Sequence, residues 1–471
     1  MGETGVRSQE TGVRIGAVAR WLLMAASLAQ AQTSDLQSVL QRLDRLEEQN
    51  QDLMAEIRAL RQQLAAAPAT AAGSSAASSN TVSPPAPANS ETAEQAQVER
   101  NQISQLDQEK ISTDHRMPLS LTGMLLFNSF WTGRGGGGAD NPTIAASPST
   151  PPESSGGATF RQTVVGVKFD GPQIVGGGKI TGSAYIDFYG GGGTTLNQLL
   201  RLRVASVDAA WKNTTLTLAL DKPIVAPREP DSLAHVGVSP LTRAGNLWLW
   251  QPQVRVEQRF ALGSQAGLRA QAGVYQTAEG GTGVAGAYAS SLTNSRPGYE
   301  SRLEFWSQLG ELRRIEIAPG YHWSDTHVLA ASVPSRIFTL DWLVRPLSRV
   351  DFTGAFFSGE NVGVIGGLPQ GVNDSNRWAP RPVHAIGGWA QMKFRLTPRL
   401  TFNAYGGQEE DRNSDLSTGS TSRNLSYAGN IMYRFGSNVL GSFEASQTRT
   451  TYLNSGTRIF PHYDLGLAYL F

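Results

Sequence analysis

The chain has 471 residues, 40 basic against 39 acidic side chains, 40% hydrophobic residues, 51 glycines and no cysteine. The lack of thiols excludes disulfides and thiolate metal sites. The near-neutral balance excludes a global basic field for nucleic acid, and no nucleic-acid-binding module is present. Past the first 35 residues no run is apolar for long enough to cross a bilayer as a helix.

Residues 1–31 read as an export signal. Arg14 and Arg20 precede the apolar run "WLLMAASLA", and "AQA" at 29–31 supplies the small residues of a cleavage site. Without that segment the chain carries 37 basic and 37 acidic residues, so any electrostatic function must be local. Residues 32–66 predict a coiled coil. Leu36, Leu43, Asn50, Ile57 and Leu64 fall at position a, and Val39, Leu46, Leu53 and Leu60 at position d. Arg42 with Glu47 and Glu56 with Arg61 supply complementary flanking pairs. Asn50 in the seam fits a dimer or a trimer, so the seam predicts self-association without its number. Residues 67–116 form an Ala/Pro/Ser-rich linker whose composition cannot bury a core, with room for a short polar helix at 91–111.

From 117 to 471 the texture changes to alternating segments of about ten residues. Sixteen are legible, at 120–131, 163–170, 179–189, 199–211, 215–221, 253–262, 267–277, 299–309, 312–323, 336–345, 349–357, 385–396, 399–407, 424–435, 439–448 and 463–471. Pro319 interrupts one of them. The connections between them are tight at every second position, such as "KNTT" and "GSN", and longer in between. A soluble sandwich has no reason to alternate in that way, whereas an outer-membrane barrel has short turns on one side and long loops on the other. The predicted fold is all-β, a 16-stranded antiparallel transmembrane β-barrel with an N-terminal α-helical coiled coil. An even strand number puts both ends on the periplasmic side, where the coiled coil has to be. The last segment, "YDLGLAYLF", alternates Tyr463, Leu465, Leu467, Tyr469 and Phe471 with smaller residues, as a lipid-facing closing strand should. Asp464, Gly466, Tyr469 and Phe471 resemble the terminal signal that barrel assembly machinery recognises.

If the apolar set of each strand meets lipid, the other set lines a lumen. Leu200, Leu202 and Val204 facing lipid turn Arg201 and Arg203 inward; Val254, Val256 and Phe260 do the same for Arg255, Glu257 and Arg259. Arg269 and Gln271 follow, then Arg302 and Glu304. Six inward arginines against two glutamates predict a local basic excess. An outward arginine near the midplane would cost roughly 2–4 kcal/mol. The arginines either brace the wall by pairing with Glu257, Glu304 or Asp208, or form a ladder that replaces the hydration of an anionic solute. The connection 222–252 carries Lys222, Arg228, His235 and Arg243 beside the aromatic run "LWLW", too greasy for a solvated tip. Trp248 and Trp250 fit either a lumen-folded loop or a subunit contact.

With "RLRVASVDAAW" and "PQVRVEQRF" as the nearest segments, the chain from about 32 to 471 resembles the DcaP-like trimeric outer-membrane porin family. The resemblance implies a homotrimer that admits small organic anions. The inward-facing set predicts a passive pore with no cofactor and no catalytic or metal site, its constriction lined by Arg201, Arg203, Arg255, Arg259, Arg269 and Arg302, with Arg243 offered by the loop. In general porins the matching loop folds into the lumen and narrows it. Phosphate-selective porins are the near rival, but their lysine clusters are absent here. The six histidines fall mostly in loops and lack metal-ligand spacing or a serine elbow, which argues against an enzyme. A structural barrel tethered to peptidoglycan through the coiled coil is the alternative, and "SPSTPPESSGG" (147–157) could serve as a surface contact.

Overall fold

The computed structural model describes residues 111–112, 119–190, 198–277, 297–310, 312–328, 331–376 and 379–471. The signal and coiled-coil segments lie outside them, as does the linker apart from the two-residue strand Ile111–Ser112. Sixteen long strands follow in order: β1 Leu119–Thr132, β2 Val164–Ile174, β3 Gly178–Asp187, β4 Arg201–Ala210, β5 Thr214–Asp221, β6 Gln251–Ala261, β7 Ala266–Gln276 and β8 Pro297–Gln308. The second half comprises β9 Arg314–Val328, β10 Ala331–Leu347, β11 Val350–Glu360, β12 His384–Arg395, β13 Leu400–Asp411, β14 Thr421–Arg434, β15 Val439–Tyr452 and β16 Gly456–Leu470. Every neighbour pairs antiparallel. The sheet closes where β16 meets β1, from Met124 opposite Leu470 to Thr132 opposite His462. Closure leaves no edge unpaired, which hydrocarbon requires.

The ladders are longer than the sequence suggests. β9 and β10 run through Pro319 and stay paired to Val328 opposite Ala331, and β15 and β16 to Tyr452 opposite Gly456. The medium gaps expected there belong to the strands. Pro319 lies on the outward, apolar side opposite Leu340, and the β8–β9 ladder is interrupted beside it, between Arg302–Gly320 and Phe305–Ile317, where a residue without an N–H is accommodated.

Outside, the wall is apolar: Leu216, Leu218, Val254, Val256, Phe260, Leu303, Phe305, Leu465 and Leu467 are all exposed. In water such a continuous band would be untenable, so it marks a bilayer-spanning wall. Aromatic pairs bound it, Trp131 with Tyr463 and Tyr299 with Trp323 toward the loops, Tyr433 with Phe435 at the turns. The terminal residues divide by face. Tyr469 is exposed, while Asp464 is buried inside and accepts from Asn128 Nδ2 at 2.9 Å. Gly466 lies under Leu233, whose Cβ is 3.3 Å from where its own would stand. Phe471 completes the seam, accepting from Gly123 N–H at 2.8 Å and donating to Gly123 O at 3.1 Å. Deleting Phe471 is therefore expected to lower the thermal midpoint of the folded barrel on heat-modifiability gels without abolishing folding.

One outward assignment is corrected. Opposite β3 the register of β4 shifts between Tyr185 and Ile186, so that Val204 faces Tyr185, Leu202 faces Ile186 and Arg203 is the extra residue. A bulge of this kind re-aims side chains. It turns Val204, expected to meet lipid, into the interior, where it is buried, and brings Arg201 and Arg203 onto the same carboxylate.

Candidate functional site

Long connections sit at one end of the barrel, and the third of them, 222–250, folds into it. Its path is recorded by contacts to inward residues all round the wall. Ile224 N–H donates to Glu300 of β8 at 2.6 Å. Arg228 reaches Asp341 of β10 at 2.6 Å and Glu316 of β9 at 2.5 Å. Asp231 meets Lys393 of β12 at 2.9 Å, and Ser232 donates to Glu444 of β15 at 2.7 Å. Leu233 O accepts from Asn128 of β1, and Val236 O from Arg203 of β4. Apolar side chains seat the loop as well. Val225, Ala226 and Leu247 pack with Ile337, Phe357 and, from the connection 361–383 between β11 and β12, Val362, Val364 and Ile365. Leu233 and Val236 pack with Met124, Tyr185 and Leu470.

Trp250 stacks inside the barrel. The guanidinium of Arg201 lies 4.7 Å and that of Arg203 4.9 Å from its ring centre. Beyond it Tyr189 stacks on Arg161 at 3.9 Å, and Arg161 pairs with Asp140 at 2.6 Å. Asp187 takes both Arg201 (2.6 Å) and Arg203 (2.9 Å). This column pins the loop and the first connection to β3 and β4. His235, within the loop, is buried, and that burial pushes its imidazole down to about 4 against the pull of Asp140, so it is neutral at physiological pH.

On the other side of the lumen runs a ladder of charges. Arg259 pairs with Glu257 at 2.5 Å; Arg269 pairs with Glu304 at 2.5 Å and approaches Glu257 at 3.8 Å. Arg302 bridges Glu304 at 2.8 Å and Asp341 at 2.7 Å. Arg228 joins Asp341 to Glu316, which also holds Arg314. Nearer the tight turns, Arg345 and Arg395 share Asp351. The solvent-facing members are all arginines: side-chain exposure is 22% for Arg259, 36% for Arg314, 33% for Arg345 and 29% for Arg395. Their carboxylate partners are at 6% or less. Water in this part of the lumen thus meets guanidinium, with the anionic halves sealed behind it.

Of the arginines read from the sequence, Arg203, Arg255, Arg269 and Arg302 are buried, Arg255 against Asp221 at 3.0 Å. Arg201 and Arg259 are partly exposed. Arg243 sits in the loop at φ 63°, where burial lowers its pKa against the attraction of Glu409. The expected count of six arginines to two glutamates on β4–β8 is corrected, because Asp208, Asp221 and Glu300 also face inward. Sequence reasoning missed Arg314, Arg345 and Arg395, though the same alternation marks them. "DWLVR" places Asp341, Leu343 and Arg345 on one face of β10. Histidines are corrected too: His322, His327, His384 and His462 lie in strands. Ser324 Oγ and Glu300 Oε1 each lie 3.0 Å from His322, the order of an acyl-transfer triad. Ser324 is nevertheless 2% exposed and Glu300 is bound to Ile224 N–H, so this chain of groups anchors the loop.

A closed sixteen-stranded antiparallel barrel with an apolar outer wall, a third loop folded inside it and paired charges lining it defines the architecture of an outer-membrane β-barrel. No family model and no curated protein matches the sequence. Among solved structures the outer-membrane channel DcaP of Acinetobacter baumannii superposes with a TM-score of 0.57 at 14% identity, over 75% of this chain and 97% of that one. Salmonella typhi OmpF, in complex with daunomycin, gives 0.50 at 12% identity over 77% and 100%. At these identities the likeness is one of fold, and the resemblance read in the sequence holds at that level.

Proposed function

We propose that the chain is a passive outer-membrane channel, biased toward small organic anions and working without a cofactor or chemical step. One observation carries the bias: the exposed members of the ladder are Arg259, Arg314, Arg345 and Arg395, while their carboxylates are buried. An anion passing there exchanges water for guanidinium donors that hold carboxylate or phosphate bidentately. Arg201 and Arg243 extend the constriction on the loop side, and Arg203, Arg255, Arg269 and Arg302 act from behind by holding its wall. Three chains associate, with the heptads of 36–64 contributing to that association in the periplasm.

The test is the reversal potential of the purified protein in a planar bilayer under a KCl gradient. Anion preference is expected in the parent, with a shift of several-fold in permeability ratio toward cations when Arg314, Arg345 and Arg395 are replaced by Gln. Cation preference in the parent, or an unmoved potential in the variant, removes the arginine argument. A barrel that inserts but never conducts favours the tethered structural alternative.

A further inference from the structure

At the tight-turn mouth of the lumen, register sets three pairs of arginines directly opposite each other across neighbouring strands. Arg314 of β9 faces Arg345 of β10. Arg349 faces Arg395, whose N–H donates to the Arg349 carbonyl at 2.8 Å, one step beyond the pair Val350 and Phe394. Arg399 faces Arg434 in the same way at 2.9 Å, one step beyond Leu400 and Tyr433. Alternation turns these arginines to the inner face. Arg314 lies two residues from buried Glu316, Arg349 from Asp351, Arg395 from Lys393, Arg399 from Thr401 and Arg434 from Met432, and Arg345 is held on Asp351. Two carboxylates serve this arc. Glu316 holds Arg314 and also Arg228 of the loop, while Asp351 takes Arg345 at 2.7 Å and Arg395 at 3.2 Å. Arg349 and Arg399 are exposed, and among the described residues neither forms an ion pair. Glu311, in the turn before β9, lies outside the described residues. At the turn between β2 and β3 the charges balance instead, Lys179 meeting Asp170 at 3.0 Å. Like charges directly opposite destabilise a sheet, so three such pairs around two acids form an arrangement that a bound anion relieves.

We propose that this arc is a binding station, at the tight-turn mouth, for multivalent anions that carry three or more carboxylate or phosphate charges. Strands stand about 4.8 Å apart, so the pairs on β9/β10, β11/β12 and β13/β14 are centred roughly 10 Å from one another. Flexible arginine side chains converge across that gap on one ligand. Each guanidinium pair takes a carboxylate or phosphate group through parallel N–H donors. A monoanion therefore satisfies one pair, whereas a multivalent anion satisfies two at once. The acids that would repel it are sealed behind the arginines, with side-chain exposure of 6% for Asp351 and 1% for Glu316. The station rests on the channel reading above and adds the class of anion held and the end of the pore that holds it.

The experiment is titration calorimetry on the full-length protein in detergent with acetate, citrate and triphosphate, at low and high salt. It is paired with single-channel recording in which each anion is added to one side and then to the other. Citrate and triphosphate should bind several-fold tighter than acetate, weaken in high salt and block the current from one side far more than from the other. The double variant Arg349→Gln, Arg399→Gln should bind them several-fold more weakly and lose the sidedness. The corresponding lysine pair should keep part of both effects, and Lys179→Gln should keep all of them. Binding of citrate and triphosphate alike supports a station that reads charge; binding of one alone supports it and assigns carboxylate or phosphate. Equal affinity for acetate, unchanged binding in the glutamine double variant, or an equal loss in Lys179→Gln overturns the proposal. Calorimetry does not need conduction, so binding without current removes the channel reading and leaves the station. Anion-selective current without binding removes the station alone.

Discussion

Replacing Asp341 by Asn is expected to destabilise the barrel by about 3–5 kcal/mol, the usual cost of removing one partner from a buried ion pair. Asp341 is fully buried and accepts Arg302 through both oxygens, at 2.7 and 2.8 Å, and Arg228 at 2.6 Å. An amide of the same shape keeps some hydrogen bonding but leaves two enclosed guanidinia short of one counter-charge. Glu304 and Glu316 cannot make up the difference, since each already serves other arginines. The first group able to leave is Arg228, which belongs to a loop and not to the wall. Single-channel conductance should therefore rise while the urea midpoint falls. Adding Arg228→Met removes the orphaned loop charge with a side chain of similar reach, so the double variant should recover part of the stability but keep the larger conductance. A single variant as stable as the parent would show that the ladder's charges are already solvated.

Much of the barrel was legible because its rules are local. A strand with one face in lipid has to alternate, and a barrel has to return its chain by tight turns on one side. Those constraints appear residue by residue in "QVRVEQRF" and in "YDLGLAYLF". What escaped were events that alternation does not encode. The bulge at Arg203 changes the phase within β4, and nothing in "RLRVASV" marks it, since Val204 suits either face. The balance of the ladder escaped for another reason. The acids that complete it, Glu316 and Asp341, and those that hold the other arginines, Asp187 and Asp221, sit on neighbouring strands, and pairing across strands depends on register. The aromatic run 247–250 marked the loop as unfit for solvent but not which of its residues would dock. Trp250 meets two guanidinia of β4, and Leu247 meets a second loop.

Gly245→Val is expected to unseat the third loop while leaving the barrel folded. Gly245 has φ +97°, a conformation that costs an L-residue about 1–2 kcal/mol and a β-branched one more. Space is the stronger objection. A Cβ there would stand 2.1 Å from Gly388 O, 2.6 Å from Gly388 C and 2.8 Å from Gln408 O, all main-chain atoms of β12 and β13. Neither strand can yield, because Gly388 and Gln408 are paired with each other in the ladder. The loop has to move instead, taking Leu241 and Ala244 out of their contacts with Trp389, Tyr405 and Ala428. The expected result is a several-fold rise in single-channel conductance, weaker selectivity and unchanged heat-modifiability. Gly310→Ala supplies the comparison, since Gly310 has nearly the same φ, +95°, with nothing within 4 Å of the added carbon. If both substitutions leave conductance alone, the loop does not limit the pore. If both raise it equally, backbone strain and not the clash at β12 and β13 is responsible. A rise confined to position 245 means that the fit of one glycine against the wall sets the width of the channel.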